Sequence, residues 1–186
     1  MSEYNTEYKK VMLISPDDVK KSGHINYNVD DDVIGASIRT SQNIYLNDVL
    51  STEFVEKLQT LVYNAIKGLE DNIEDPQNAH YKAFLDDYIK EAMTYKTAAE
   101  ICVKITLKIR NMGVVQNSDT NVNTVPLDDI KYLRDTFNGY WESAVNKMYA
   151  YLKKNADLFP EFVGCGCDKV NVKAKYGNTG LWLGLS

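Results

Sequence analysis

The chain has 186 residues and a mass of 21.1 kDa, enough for one domain with its own core. Its net charge is -5 and its pI about 5.1, and only Arg39, Arg110 and Arg134 of its 21 basic residues are arginine. That argues against a general nucleic-acid binder, which needs a basic face and favours the bidentate guanidinium.

Residues 1–10 are polar and are expected to be loosely held. "VMLIS" follows, a short apolar run that fits either a strand or a packed extended segment. "SPDDVKKSG" has the grammar of a short helix: Ser15 as N-cap, Pro16 at the first helical position, Asp17 and Asp18 in the first turn, Gly23 as the stop. Next, Asn28 is expected to cap a helix whose stripe is Ile34, Ile38, Ser41 and Tyr45. Asp30, Asp31 and Asp32 read as acidic first-turn residues rather than a metal site, because consecutive helical positions point in different directions.

Ser51 is the expected cap of the clearest helix, with Phe54, Val55, Leu58, Leu61, Val62, Ala65, Ile66 and Leu69 on one face. "EDPQN" is expected to break it, with Pro76 as the punctuation. A long helix is predicted from about Ala79 to Met112, its seam running through Tyr88, Ala92, Tyr95, Ala99, Cys102, Thr106 and Ile109. Lys82, Lys90, Lys104 and Lys108 occupy its other face, and "CVKITLKI" also fits a strand. "NMGVVQNSDTNVNTVP" reads as a long polar loop, and loops of that length in a compact domain tend to carry function. Val114, Val115, Gln116, Asn117 and Asp119 are its candidate residues for reaching a partner or a lumen. Pro126, Asp128 and Asp129 open a last long helix that buries Leu133, Phe137, Trp141, Ala144, Met148 and Leu152, with Pro160 as its stop.

The expected fold is mainly α. An N-terminal segment with a short helix (1–27) precedes a bundle of about four helices (28–163), and a C-terminal extended β-type arm (164–186) follows. In the arm, "KVNVKAKY" places Val170, Val172, Ala174 and Tyr176 on one side and Lys169, Asn171, Lys173 and Lys175 on the other, the period of a half-buried strand. "GNTG" turns, and Leu181, Trp182 and Leu183 form an apolar end. A lone strand must find a partner for its backbone groups. The arm therefore pairs either with the N-terminal segment of its own chain or with a neighbouring subunit, by strand addition with Trp182 as anchor. The second is favoured.

Chemistry is hard to find. No nucleophile elbow, phosphate-binding glycine loop or zinc-protease motif is present. Cys165 and Cys167 supply two thiolates where a tetrahedral site takes four ligands, so they read as small residues in a glycine turn. The odd total of three cysteines, with no signal-peptide pattern at the start, predicts reduced thiols in a cytoplasm. No run reaches the roughly 20 apolar residues of a membrane span. His24 and His80 read as separate surface histidines. No catalytic residue, cofactor or metal is expected, and the protein is not expected to be an enzyme.

Part of the sequence resembles a known family. "Ile-Ser-x-Asp-Asp-hydrophobic-Lys" (residues 14–20) precedes a helix ending in Gln42, Tyr45, Leu46, Val49 and Leu50, and "NMGVVQNSD" is followed by "IKYLRDTFNGYWESAVNKMYAYLKKNADLFPEF". This pattern, across most of residues 11–163, is similar to head–tail connector (adaptor) proteins of tailed phages of Bacteroidetes, including crAss-like phages. Where that family has a glycine after its paired leucines, this chain has Ser51, and the "GCGC" arm has no counterpart. The resemblance implies a homo-oligomeric ring in the neck of a virion, assembled in the host cytoplasm. The ring would dock below the portal protein, join the tail or further neck proteins, and let genomic DNA pass without sequence-specific binding. An acidic, arginine-poor chain suits such a channel. Two other readings compete: a small helical enzyme or ligand binder with a pocket around His24, Tyr88 and Trp141, and a phage protein that binds a host partner.

Overall fold

A computed structural model describes residues 7–110, 113–116 and 126–163. Four helical rods build the body. The first runs over residues 31–50 and comprises α2 (Asp31–Thr40), a π-helical stretch (Ser41–Leu46) and α3 (Asn47–Leu50); a short α1 (Pro16–Lys21) precedes it. The second is α4 (Thr52–Lys67). The third covers residues 79–106, as α5 (Ala79–Phe84), a second π-helical stretch (Leu85–Ile89) and α6 (Lys90–Thr106). A hairpin of β1 (Leu107–Arg110) and β2 (Gly113–Gln116) follows. The fourth rod is α7 (Leu127–Lys154), and a short α8 (Pro160–Val163) closes the described chain. The protein is mainly helical, as its periodicity predicts.

The stripes explain the packing. Ile34, Ile38, Leu46 and Leu50 of the first rod, Phe54, Leu58 and Leu61 of α4, Ile89 and Met93 of the third rod, and Met148 and Leu152 of α7 are fully buried in one core cluster. Phe54, Phe84 and Phe159 lie with ring centroids 5.4–5.7 Å apart, and Tyr81 packs edge-on against Phe54 and Phe159. Burying each such ring contributes about 1.5–3 kcal/mol, the main favourable term. α6 and α7 run antiparallel: Glu91 meets Lys147, and Lys96 meets Asn138. The first rod is also antiparallel to α6, with Lys104 reaching Thr40 and Lys96 lying over Tyr45.

Ser15 and Asp18 form a full capping box on α1, and Gly23 sits at φ +76° after it. Ser51 caps α4 through its hydroxyl, which accepts from the Phe54 N–H, and Gly68 ends that helix in the left-handed region. The segment 11–15 is irregular, with bends at Leu13 and Ile14, and is not a strand: Leu13 and Ile14 enter the main core, and two glutamine side chains take the backbone groups a second strand would use.

Several expectations are corrected. α2 starts at Asp31, after Asp30 rather than Asn28, because residues 26–29 form a turn in which the Asn28 N–H donates to the Asn26 side chain. Residues 7–10 are a 3-10 turn held to α4 by the Lys9–Glu56 ion pair and by Tyr63 on Glu7. Ile66 and Leu133 are exposed on their helices, and Leu69 is exposed beyond α4, which Gly68 has already ended. α7 ends at Asn155, and Pro160 begins α8, where its missing N–H costs nothing.

Val114, Val115 and Gln116 are not loop. They form β2, antiparallel to β1 with Leu107 opposite Gln116 and Arg110 opposite Gly113. Two consecutive β-branched valines favour a strand over an open loop.

Candidate functional site

Beside the π-helical stretch of the first rod, α6 and α7 border a crevice of about 660 Å³. Tyr45 and Trp141 line it as aromatic walls. Lys96, Lys131 and Arg134 bring positive charge, Asp135 and Glu142 negative charge, and Asn138 and Gly139 complete it. A π turn is one residue wider than an α turn and re-aims the side chains on it, and Tyr45 lies within that stretch.

Lys96 is the centre of the crevice. Among the described residues it is the one charged side chain that is buried, at 8% exposure. Its Nζ donates to Asn138 Oδ1 at 2.8 Å and lies 3.7 Å from the centroid of the Tyr45 ring, a cation–π contact. Burial holds its pKa below the usual lysine value, and Glu100 and Glu142 oppose that shift through space while Arg134 adds to it. Arg134 is bound to Asp135 at 2.7 Å, so its charge is already answered. The arrangement can fix an anionic group; it holds no nucleophile paired with a base.

Sequence reasoning did not single out Lys96; it placed Lys82, Lys90, Lys104 and Lys108 on the outer face of this helix. The signal was available: Lys96 lies four residues after Ala92, on the seam itself.

The expected interface residues Val170, Val172, Ala174, Tyr176, Leu181, Trp182 and Leu183 lie outside the described residues, as do Asn117, Asp119, Cys165 and Cys167. His24 packs against Tyr95 and Phe137, whereas His80 packs against Tyr81 and Phe159, so the two histidines do not meet. Tyr88 stacks on Phe84 and Tyr151, and neither it nor His24 lines the crevice that Trp141 lines. Cys102 is buried between α6 and α7, and that burial raises its thiol pKa. Among the described residues no group of three or more His, Cys, Asp and Glu side chains could hold a metal ion, and no helix is long and apolar enough to cross a membrane.

With this geometry in hand, the family can be stated. The chain belongs to a family of unknown function (DUF6712), whose match covers residues 40–172 and so takes in Tyr45, Lys96 and the whole of α7. No curated protein and no solved structure matches the chain.

Proposed function

We propose that this protein is a structural subunit of a tailed-phage virion: a ring protein of the neck, docked below the portal and linking it to the tail while DNA passes. It acts as a homo-oligomer and performs no catalysis.

The observation that carries this reading concerns the arm's partner. The alternating sequence of 169–176 is expected to seek a strand edge. In the segment 11–15 the Val11 carbonyl and the Leu13 N–H are already bonded to glutamine side chains. The β1–β2 hairpin, by contrast, is a two-stranded sheet with no further neighbour among the described residues. Such an edge is a template for a strand from another molecule.

Exposed apolar side chains support the same reading. Leu127, Tyr132 and Leu133 on the first turns of α7, and Val103 and Ile105 at the end of α6, are all exposed at the end of the body that carries the hairpin. Heterologous contacts of this kind close into rings when the rotation allows. An acidic chain with three arginines lets duplex DNA slide by.

The test is mass in solution, by light scattering or mass photometry, with and without a candidate portal protein. The full chain is compared with one cut after Gly164. Rings or portal-bound copies that vanish on cutting are expected. A monomer in every mixture, unaffected by the cut, overturns the reading.

A further inference from the structure

We propose that the crevice between α6 and α7 is a binding site for one carboxylate group carried on an apolar body, with Lys96 as its charge partner. This goes beyond the ring reading and does not depend on it.

Three observations lead there. The first is the incomplete set of partners around a buried cation. An ammonium has three N–H groups. At Lys96 the described partners are Asn138 and the face of the Tyr45 ring, so among the described residues the ammonium has capacity for a further acceptor. Among the described residues no carboxylate is hydrogen-bonded to Lys96; Glu100 and Glu142 act on it through space. A charge removed from water without an ion partner is costly, and an anion seated beside it offsets that cost.

The second is the balance of charge. Arg134 is paired with Asp135, so within the lining Lys96 and Lys131 are set against Glu142, with Glu100, outside the lining, also acting on Lys96 through space. The lining therefore carries one net positive charge. That matches a monoanion; a phosphate dianion would be repelled by Glu142 and under-compensated.

The third is the shape of the walls. Tyr45 and Trp141 flank the crevice, and the wide turn of the π-helical stretch carries Tyr45. Aromatic walls favour a carboxylate attached to a hydrocarbon or ring rather than a small hydrated ion. Two sources share this chemistry: a free organic acid, or an aspartate or glutamate side chain of a second copy of the protein.

3-Phenylpropionate is the probe, with 3-phenylpropylamine as the matched cation, titrated calorimetrically into the full chain. Saturable binding of the acid is expected, with Kd on the order of 1 mM, as suits one charge-assisted contact and a small apolar face. Lys96→Met, which keeps the stem and removes the charge, weakens it at least about tenfold. Lys153→Met, far along α7 on its exposed side, leaves it unchanged. A second variant, Asn138→Leu, frees Lys96 from its orienting acceptor and weakens binding less. Solution mass separates the sources: the probe lowers self-association if the carboxylate belongs to a second copy, and leaves mass unaltered if it belongs to a free acid. No saturation, equal binding of the amine, or full binding by Lys96→Met overturns the proposal.

Discussion

Gln42 and Gln59, on different helices, both donate to the carbonyl of Val11, at 3.0 Å and 2.9 Å. Gln42 also accepts from the Leu13 N–H at 2.8 Å, and Gln59 donates to the Lys9 carbonyl at 3.1 Å. Two side-chain amides thus do for this segment what a neighbouring strand would otherwise do. Both amides are buried, so the bonds are hard to replace with water.

Gln42→Leu is therefore expected to destabilise the protein by about 2–3 kcal/mol, since it strands a buried N–H and weakens a shared carbonyl. Gln59→Leu costs less, because Val11 keeps Gln42. The double variant loses more than the sum of the singles, as residues sharing one acceptor couple. Urea unfolding midpoints give all three values; strictly additive losses would mean the two amides act independently.

Tyr81 and Glu161 tie the third rod to the last described helix, with the hydroxyl donating to Glu161 Oε2 at 2.7 Å. Burial, and then the bond to Glu161, push the Tyr81 pKa well above its ordinary value. The sign for stability follows. The folded state keeps this proton where the unfolded chain releases it, so stability falls as pH rises above about 10. Tyr81→Phe is expected to cost about 1.5–3 kcal/mol at neutral pH, a bond to a charged acceptor being lost. The cost shrinks above pH 10, where wild type bears the ionisation penalty and the variant does not. Unfolding curves at pH 7 and pH 10.5 check this; an equal difference at both would contradict it.

Much of the fold was legible because the helices are amphipathic over many turns and their caps are strong. Ser15, Ser51 and Gly23 each do in the structure what their residue types imply. The hairpin was less legible. Four residues of "GVVQ" give too short a run to distinguish a strand from a loop, and the register comes from β1, which continues a helix without a break in pattern. Residues 11–15 stayed ambiguous for another reason: long-range glutamines, 29 to 48 residues away, decide their state. Lys96 did not stand out because only packing brings Asn138 and the Tyr45 ring against it. The arm's pattern lies beyond residue 163, outside the described residues.

Asp18 closes the capping box of α1, and its carboxylate accepts from the Ser15 N–H and hydroxyl, both at 2.8 Å. Burial pulls its pKa up, but those hydrogen bonds outweigh it and the carboxyl ends below the usual aspartate value. The stabilisation is therefore present above the unfolded value of about 4 and is lost as pH falls through the lower folded value. Asp18→Ala should cost about 1 kcal/mol at pH 7 and progressively less below pH 4. Thermal unfolding at pH 7, 4 and 2.5 measures it. A gap that widens toward acid would show that the carboxylate is not the stabilising form.

Ser51 joins α3 to α4 at φ +79°, ψ +157°, a conformation that only glycine adopts without strain. Two effects compete there. The hydroxyl caps α4 at 3.3 Å from the Phe54 N–H, which helps, while the Cβ is strained by the backbone, which hurts. Replacing a capping serine by glycine costs only a few tenths of a kcal/mol. Relieving such a backbone releases about 1–3 kcal/mol, less up to about 1 kcal/mol for the added freedom of the unfolded chain. Ser51→Gly is thus expected to stabilise the protein by about 1 kcal/mol, a rise in Tm of about 2–4 °C for a chain of this size. Ser51→Ala keeps the strain and loses the cap, so it should fall by about 1 kcal/mol. The ordering Gly above Ser above Ala, read from Tm, is the decisive result. If serine outranks glycine, the cap outweighs the backbone, and the positive φ is held at little cost.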